Sequence, residues 1–174
     1  MSETASFVAE TPERGHTFLG DEVRRGVQFD RAEVEAALQN YQDVAARAAA
    51  SGDWNEWAEM FTEDAVYVEH HFGVMRGRET LRAWINSTMQ GQSSDLVFPV
   101  LWHLIDNDLV FIYCPNRYDA PDGGAPFQFV CGTVLCYAGD GQWCYEEDIY
   151  NVVEAGRVAE LYAASKEAAN APTA

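Results

Sequence analysis

The chain is predicted to fold as α+β: a cone-shaped, strongly curved mixed or antiparallel β-sheet with three N-terminal helices enclosing a pocket. Three observations predict this. Helical periodicity is confined to the first ninety residues and the C-terminal end. Almost everything from Asp95 to Val153 is strand-like. The strand-like runs are separated by short turn signals rather than by further helices. Helices first and a meander afterwards give α+β rather than alternating α/β.

Residues 1–29 are polar, carry Pro12, Gly15, Gly20 and Gly26 without a clear period, and are expected to form an N-terminal arm anchored by Phe7, Phe18, Leu19 and Phe29. His16 lies in this arm and receives no functional role. The cone domain is expected over 30–153, and a C-terminal helix and tail over 154–174. Asp30 followed by Glu33 is a capping-box-like start. Val34, Leu38, Tyr41 and Ala45 then recur at helical spacing, and Ser51-Gly52 stops the helix. Asp53 with Glu56 starts a second helix bearing Trp54, Trp57 and Phe61. AVYVEHHF, residues 65–72, reads as a strand closed by Gly73. Gly77 precedes a third helix with Leu81, Trp84, Ile85 and Met89 on its inner stripe. Four β-rich runs follow, over 96–105, 109–118, 127–138 and 142–153, divided by Asp106-Asn107-Asp108, by DAPDGGAP and by Gly139-Asp140-Gly141. Pro99 and Pro115 predict an edge, bulge or bend.

Composition narrows the function classes. Hydrophobic residues are 48% and aromatics 13%, enough to build a core. Asp and Glu number 28 against 11 Lys and Arg, for a net charge of −17. Such a surface repels phosphate backbones and anionic lipid, so neither nucleic acid nor membrane is an expected partner. Cys114, Cys131, Cys136 and Cys144 form no C-x-x-C pair and lie in apolar strand-like runs, where free Cys acts as a small hydrophobe. The N-terminus lacks a basic start and an apolar stretch of signal-peptide type, and no run reaches the ~18 apolar residues of a membrane span. A cytoplasmic location is expected.

Order and residues together resemble the nuclear transport factor 2-like superfamily, specifically its SnoaL-like branch, over roughly Arg31 to Val153. The resemblance is carried by Gly52-Asp53-Trp54, by the F-T-E-D-A-V-Y-V run from Phe61, by Gly77-Arg78-Glu79, and by the hairpin Tyr137-Ala138-Gly139-Asp140-Gly141-Gln142-Trp143. It implies a pocketed fold that hosts isomerases, cyclases, dehydratases, hydrolases and plain binding modules. In ketosteroid-isomerase-like relatives the strand after helix two carries a general-base Asp; the matching stretch Val68-Glu69-His70-His71-Phe72-Gly73 places His70 there. The oxyanion-binding acid falls near Thr133, and the phenolic Tyr near Ala45, one turn from Tyr41. Limonene-epoxide-hydrolase-like relatives carry an Asp before two aromatic residues on the last strand, similar to Asp148-Ile149-Tyr150, and Asn116, Arg117 and Asp119 lie where their Arg and second Asp are sought. In scytalone-dehydratase-like relatives Tyr, His and Asp surround a bound water. SnoaL-like cyclases use an Asp/His pair, which His70 and Asp148 match. The family also implies a homodimer through the sheet.

The residues can be read beside this resemblance. Neighbouring side chains on a strand point to opposite faces, so His70 and His71 do not readily share an ion, and no metal site is expected. Alternation sets His70 with Val68 and Val66, and His71 with Glu69 and Tyr67; the family match selects His70 as the inward one. Glu146, Asp148 and Tyr150 share one face of the last strand. Two carboxylates near each other in apolar surroundings push a pKa upward, as acid–base work requires. Asn116 follows the Pro115 bend. Trp57, Phe61, Trp84, Met89, Trp102, Tyr113 and Phe129 are candidates for the pocket lining, and Trp102 alternates with His103. The expectation is a cofactor-independent acid–base enzyme for a small, largely apolar cyclic or polyketide-like molecule. His70 and Asp148 would be catalytic; Tyr41, Asn116, Thr133, Glu146 and Tyr150 would bind substrate. The alternatives are a non-catalytic binding or dimerisation module, or the small structural subunit of a ring-hydroxylating dioxygenase.

Overall fold

Asp30 starts the first helix, as its spacing from Glu33 predicts. Its carboxylate accepts a hydrogen bond from Ala32 N at 2.8 Å, and α1 runs Arg31–Ser51. Gly52 ends it with φ 76°, a left-handed position that favours glycine, and its N–H returns to Ala48 O at 2.8 Å. This computed structural model describes residues 26–89 and 95–170; the predicted arm up to residue 25, including His16, lies outside them. The described end of the arm docks: Val27 N donates to Asp108 Oδ2 at 3.2 Å, and Phe29 packs edge-on against Tyr137 at 4.9 Å.

After α1 come α2 (Asn55–Glu59), β1 (Phe61–Glu69), β2 (Gly73–Arg76) and α3 (Arg78–Met89). The short β3 (Leu96–Val97) and β4 (Trp102–Asp106) precede three long strands, β5 (Leu109–Tyr118), β6 (Phe127–Gly139) and β7 (Gln142–Tyr150), and α4 (Val152–Asn170) closes the chain. The sheet order is β2-β1-β7-β6-β5-β3, with β4 also on β5. All neighbours are antiparallel except β1 and β7, which lie parallel. The α+β architecture and the curled mixed sheet are as predicted. Four helices accompany the sheet, and it curls without closing.

Several boundaries differ from the sequence expectation: Phe61, expected on the second helix, opens β1, four residues before the expected strand start. The run expected as one strand over 65–72 stops at Glu69; residues 70–72 turn, and Gly73–Arg76 returns as a hairpin. The run over 96–105 breaks into β3 and β4 around Pro99. Pro115 sits in β5 between the segments that pair with β4 and with β3, so its missing N–H interrupts no ladder on that side. The last strand ends at Tyr150, not Val153, because Asn151 caps α4: its Oδ1 accepts from Val153 N at 3.0 Å and Glu154 N at 3.2 Å.

Two apolar layers result. On the concave face, Val34, Leu38, Val44 and Ala48 of α1 pack with Trp57, Phe61, Tyr67, Leu81, Trp84, Ile112, Leu135 and Trp143. On the other face Val68, Val74, Val134, Cys136, Cys144 and Tyr145 form a smaller cluster. The four cysteines are buried. No helix among the described residues is long and apolar enough to cross a membrane.

Candidate functional site

A cavity of about 500 Å³ opens between the concave face of the sheet and helices α1, α3 and α4. Its wall is mostly aromatic and aliphatic, and its floor is acidic. Strand alternation explains the floor. Tyr67 and Glu69 of β1, Cys131 and Thr133 of β6, and Glu146, Asp148 and Tyr150 of β7 all fall on the inward set. The parallel pairing of β1 with β7 puts Tyr67 opposite Glu146 and Glu69 opposite Asp148.

Each hydroxyl on this floor is committed to a carboxyl group. Tyr41, on α1, donates to Glu146 Oε1 at 2.7 Å. Tyr67 donates to Asp148 Oδ2 at 2.5 Å and Thr133 to Asp148 Oδ1 at 2.6 Å. Tyr150 donates to Glu69 Oε1. Glu69 Oε2 accepts from the backbone N–H of His71 and of Phe72, both at 2.7 Å, and so fixes the turn that ends β1. Glu146 is 2% exposed, and its Oε2 has no hydrogen-bond partner among the described residues.

Burial sets the protonation of this cluster. Glu146 is held well above the usual carboxylate range, first by desolvation and then by the negative charge of Asp148; the Tyr41 hydroxyl works against the rise. Asp148 is raised by desolvation, with the charge of Glu69 adding to it, while hydrogen bonds from Thr133 and Tyr67 hold it down. Asp148 keeps two strong donors and Glu146 one. Glu146 is therefore the more readily protonated of the two, and the pair titrates as a unit. Burial, reinforced by Asp148 and Glu146, pushes the Cys114 thiol up to about 12, and it raises Cys131 as well. Neither cysteine is a thiolate nucleophile near neutrality.

Of the residues selected from sequence, the cavity brings together Asp148, Tyr41, Trp57, Trp84, Met89, Asn116, Phe129, Thr133, Glu146 and Tyr150. It does not include His70. That side chain lies just past the end of β1, and its Nε2 is 2.7 Å from Glu147 Oε1. Glu147 in turn accepts from Tyr145 at 2.7 Å, on the far side of the sheet from Asp148. The expected His70–Asp148 pair does not meet, because β1 presents Tyr67 and Glu69 to the cavity, as strand alternation alone allowed. His71 is the histidine at the cavity wall. Three further expectations fail for related reasons. Phe61 is fully buried in the core. Trp102 and Tyr113 stack at 4.9 Å and 7° on the outer face, because Ile112 and Cys114 take the inward positions of β5. Arg117, by contrast, makes the outward salt bridge to Asp119 that an acid-rich surface favours. Sequence reasoning missed Glu69, Tyr67, His71, Trp54 and the Cys114–Cys131 pair as wall residues. Alternation from Asp148 through the register would have found all but Trp54.

The described residues contain no cluster of His, Cys, Asp and Glu arranged to hold a metal ion.

The model of the SnoaL-like domain matches residues 39–146, well over half of the chain. The chain belongs to the SnoaL-like domain family. Among curated proteins no sequence matches it. Solved structures share its fold at low identity. A SnoaL-like polyketide-cyclase-type protein from Shewanella putrefaciens is similar at TM-score 0.59 and 12% identity, covering 76% of this chain and 99% of the other. An epoxide hydrolase of the LEH-like type from M. tuberculosis is similar at 0.57 and 17%, covering 79% and 96%. The epoxide hydrolase/cyclase-like enzyme SalBIII, which has a role in pyran ring formation in the polyether salinomycin, is similar at 0.55 and 17%, covering 72% and 95%. The domain thus belongs to a fold shared by cyclase-type and hydrolase-type enzymes.

Proposed function

We propose that this SnoaL-like domain is an acid–base enzyme acting on a small, largely apolar cyclic or polyketide-like molecule, with Glu146 and Asp148 as the working pair. The observation that carries the reading is their placement. The two carboxyls lie two residues apart on one strand face, both line the cavity, and both are pushed upward by burial. A neutral Glu146 would give its proton to a leaving or carbonyl oxygen. An ionised Asp148 would take the proton from the attacking hydroxyl or water, or from carbon. Two acids pushed apart in protonation state can run both halves of such a transfer. The aromatic wall excludes water and strengthens these interactions. Ring closure, ring opening and dehydration all fit this pair. The three solved relatives include a hydrolase and a cyclase-like enzyme, which supports the same class.

The test is turnover on a panel of small cyclic epoxides and β-hydroxy ketones, followed by mass spectrometry. Wild-type protein should convert at least one, and Glu146→Gln and Asp148→Asn should each lose on the order of a hundredfold or more in rate. Unchanged rates in both variants would remove the pair from the mechanism.

The same proposal includes a homodimer through the outer sheet face. Trp102, Leu104, Val130 and Ile149 expose 46–64% of their surface there. Sedimentation should give a dimer that Leu104→Lys with Ile149→Lys converts to monomer; a monomeric wild type would discard it.

A further inference from the structure

The polar inventory of the cavity is one-sided. Glu69, Glu146 and Asp148 bring three carboxyl groups to its floor, while no Lys or Arg is among its described wall residues. The hydroxyls of Tyr41, Tyr67, Thr133 and Tyr150 are spent on those carboxyls, which leaves Gln42, His71, Thr88, Asn116 and Tyr118 as the other polar side chains of the wall. Glu146 Oε2 is left buried and without a partner among the described residues. An unpartnered buried carboxyl group carries a desolvation cost that a ligand can relieve, and an ammonium placed beside it would draw the acid toward its ionised form.

The rings above the floor point the same way. Tyr41 and Tyr67, which hold the two acids, flank Trp57 with centroids at 6.1 and 6.0 Å, and Tyr67 continues to Trp84 at 4.8 Å. Aromatic faces attract positive charge and repel negative charge, most strongly where water is excluded. Carboxylates and π faces therefore give this cavity a negative interior. An anionic ligand would meet like charge across the floor. A neutral ligand would gain the apolar contact and hydrogen bonds to wall groups such as Asn116, without a charge pair.

We propose that the cavity recognises a hydrophobic amine, whose ammonium group pairs with Glu146 and Asp148 beneath the aromatic wall. The inference uses the two carboxyls of the acid–base reading but not their chemistry. A positive centre in this position is either a permanent feature of the ligand or one that grows as an oxygen is protonated, and a stable ammonium probe reports both.

Three probes with one skeleton test it: 4-phenylbutylamine, 4-phenylbutan-1-ol and 4-phenylbutanoate. Quenching of tryptophan fluorescence reads binding, since Trp54, Trp57 and Trp84 all face the cavity. At neutral pH the amine is expected to bind at least tenfold more tightly than the alcohol, and the carboxylate more weakly than either. In the Glu146→Gln/Asp148→Asn double variant the ratio of amine to alcohol affinity should fall toward one, with thermal melting confirming that the variant is folded. Equal affinities for amine and alcohol in the wild type, or tightest binding by the carboxylate, overturn the proposal. So does the absence of amine binding. These outcomes are separate from turnover: an alcohol-preferring cavity that still converts an epoxide through Glu146 leaves the acid–base reading intact and removes this one.

Discussion

Replacing Glu146 with Gln should remove a pH dependence that this one side chain imposes on folding. The carboxyl is 2% exposed, and burial, followed by the charge of Asp148, holds it well above its ordinary range. In the unfolded chain it titrates near about 4.3. Between that pH and its raised folded value, the native state binds a proton that the unfolded state has already lost. Stability then falls as pH rises, by up to about 1.4 kcal/mol per pH unit for one proton. Below the unfolded value both states are protonated and the effect vanishes; above the folded value the loss is complete. Gln keeps an oxygen for the Tyr41 hydroxyl, which donates at 2.7 Å, and it does not titrate. Each two pH units inside the window should therefore separate variant from wild type by up to about 2.7 kcal/mol, with the variant the more stable. Urea unfolding at half-unit steps from pH 4 upward measures the difference directly. Glu59 and Glu154, held down by the arginines beside them, contribute with the opposite sign in both proteins and cancel. Parallel stability curves would show that Glu146 ionises normally in the folded protein, and the argument for a neutral acid would fail.

Tyr67→Phe deletes the 2.5 Å donor to Asp148 in a buried site and should cost about 1–3 kcal/mol by urea unfolding at neutral pH, while raising the Asp148 carboxyl further; infrared absorption of the protonated carboxyl follows the second effect. His70→Ala should leave both ligand binding in the cavity and any turnover unchanged, because its partner is Glu147 on the outer face; loss of either would return His70 to the site. Asn151→Ala removes the cap that starts α4 and should cost about 1 kcal/mol in thermal unfolding. Because α4 residues Val152, Ala155 and Ala159 line the cavity, the same variant should also weaken ligand binding.

Much of the fold was legible because its signals are local. Asp30 and Gly52 bracket α1 through hydrogen bonds within a few residues of each, and the Gly139-Asp140-Gly141 turn sets the β6–β7 hairpin in the same way. Asp148 and Glu146 were legible as a shared face because alternation along one strand has period two. The histidines show the opposite case. Alternation placed His70 and His71 on opposite sides, and nothing local said which side was inward. The deciding fact is the parallel pairing of β1 with β7, a contact between residues about eighty positions apart. It sets Tyr67 opposite Glu146 and turns Glu69, not His70, toward Asp148. Trp102 and Tyr113 were misplaced for the same reason, since the inward face of β5 follows from its register with β6.

The sequence by itself determined the α+β class, the family, the helix caps and the pairing of Glu146 with Asp148 on one face, because each depends on composition or on neighbours along the chain. Only the tertiary structure decided which face of β1 looks inward, that the hydroxyls of Tyr41, Tyr67, Thr133 and Tyr150 are each bound to an acid, and that Glu146 has an oxygen with no partner among the described residues. Those facts depend on which distant strands meet, and on the burial that their meeting creates. Of the two histidines that stand out in the sequence, His71 reaches the cavity wall and His70 lies outside it. The acids that hold its centre are read by the strand register.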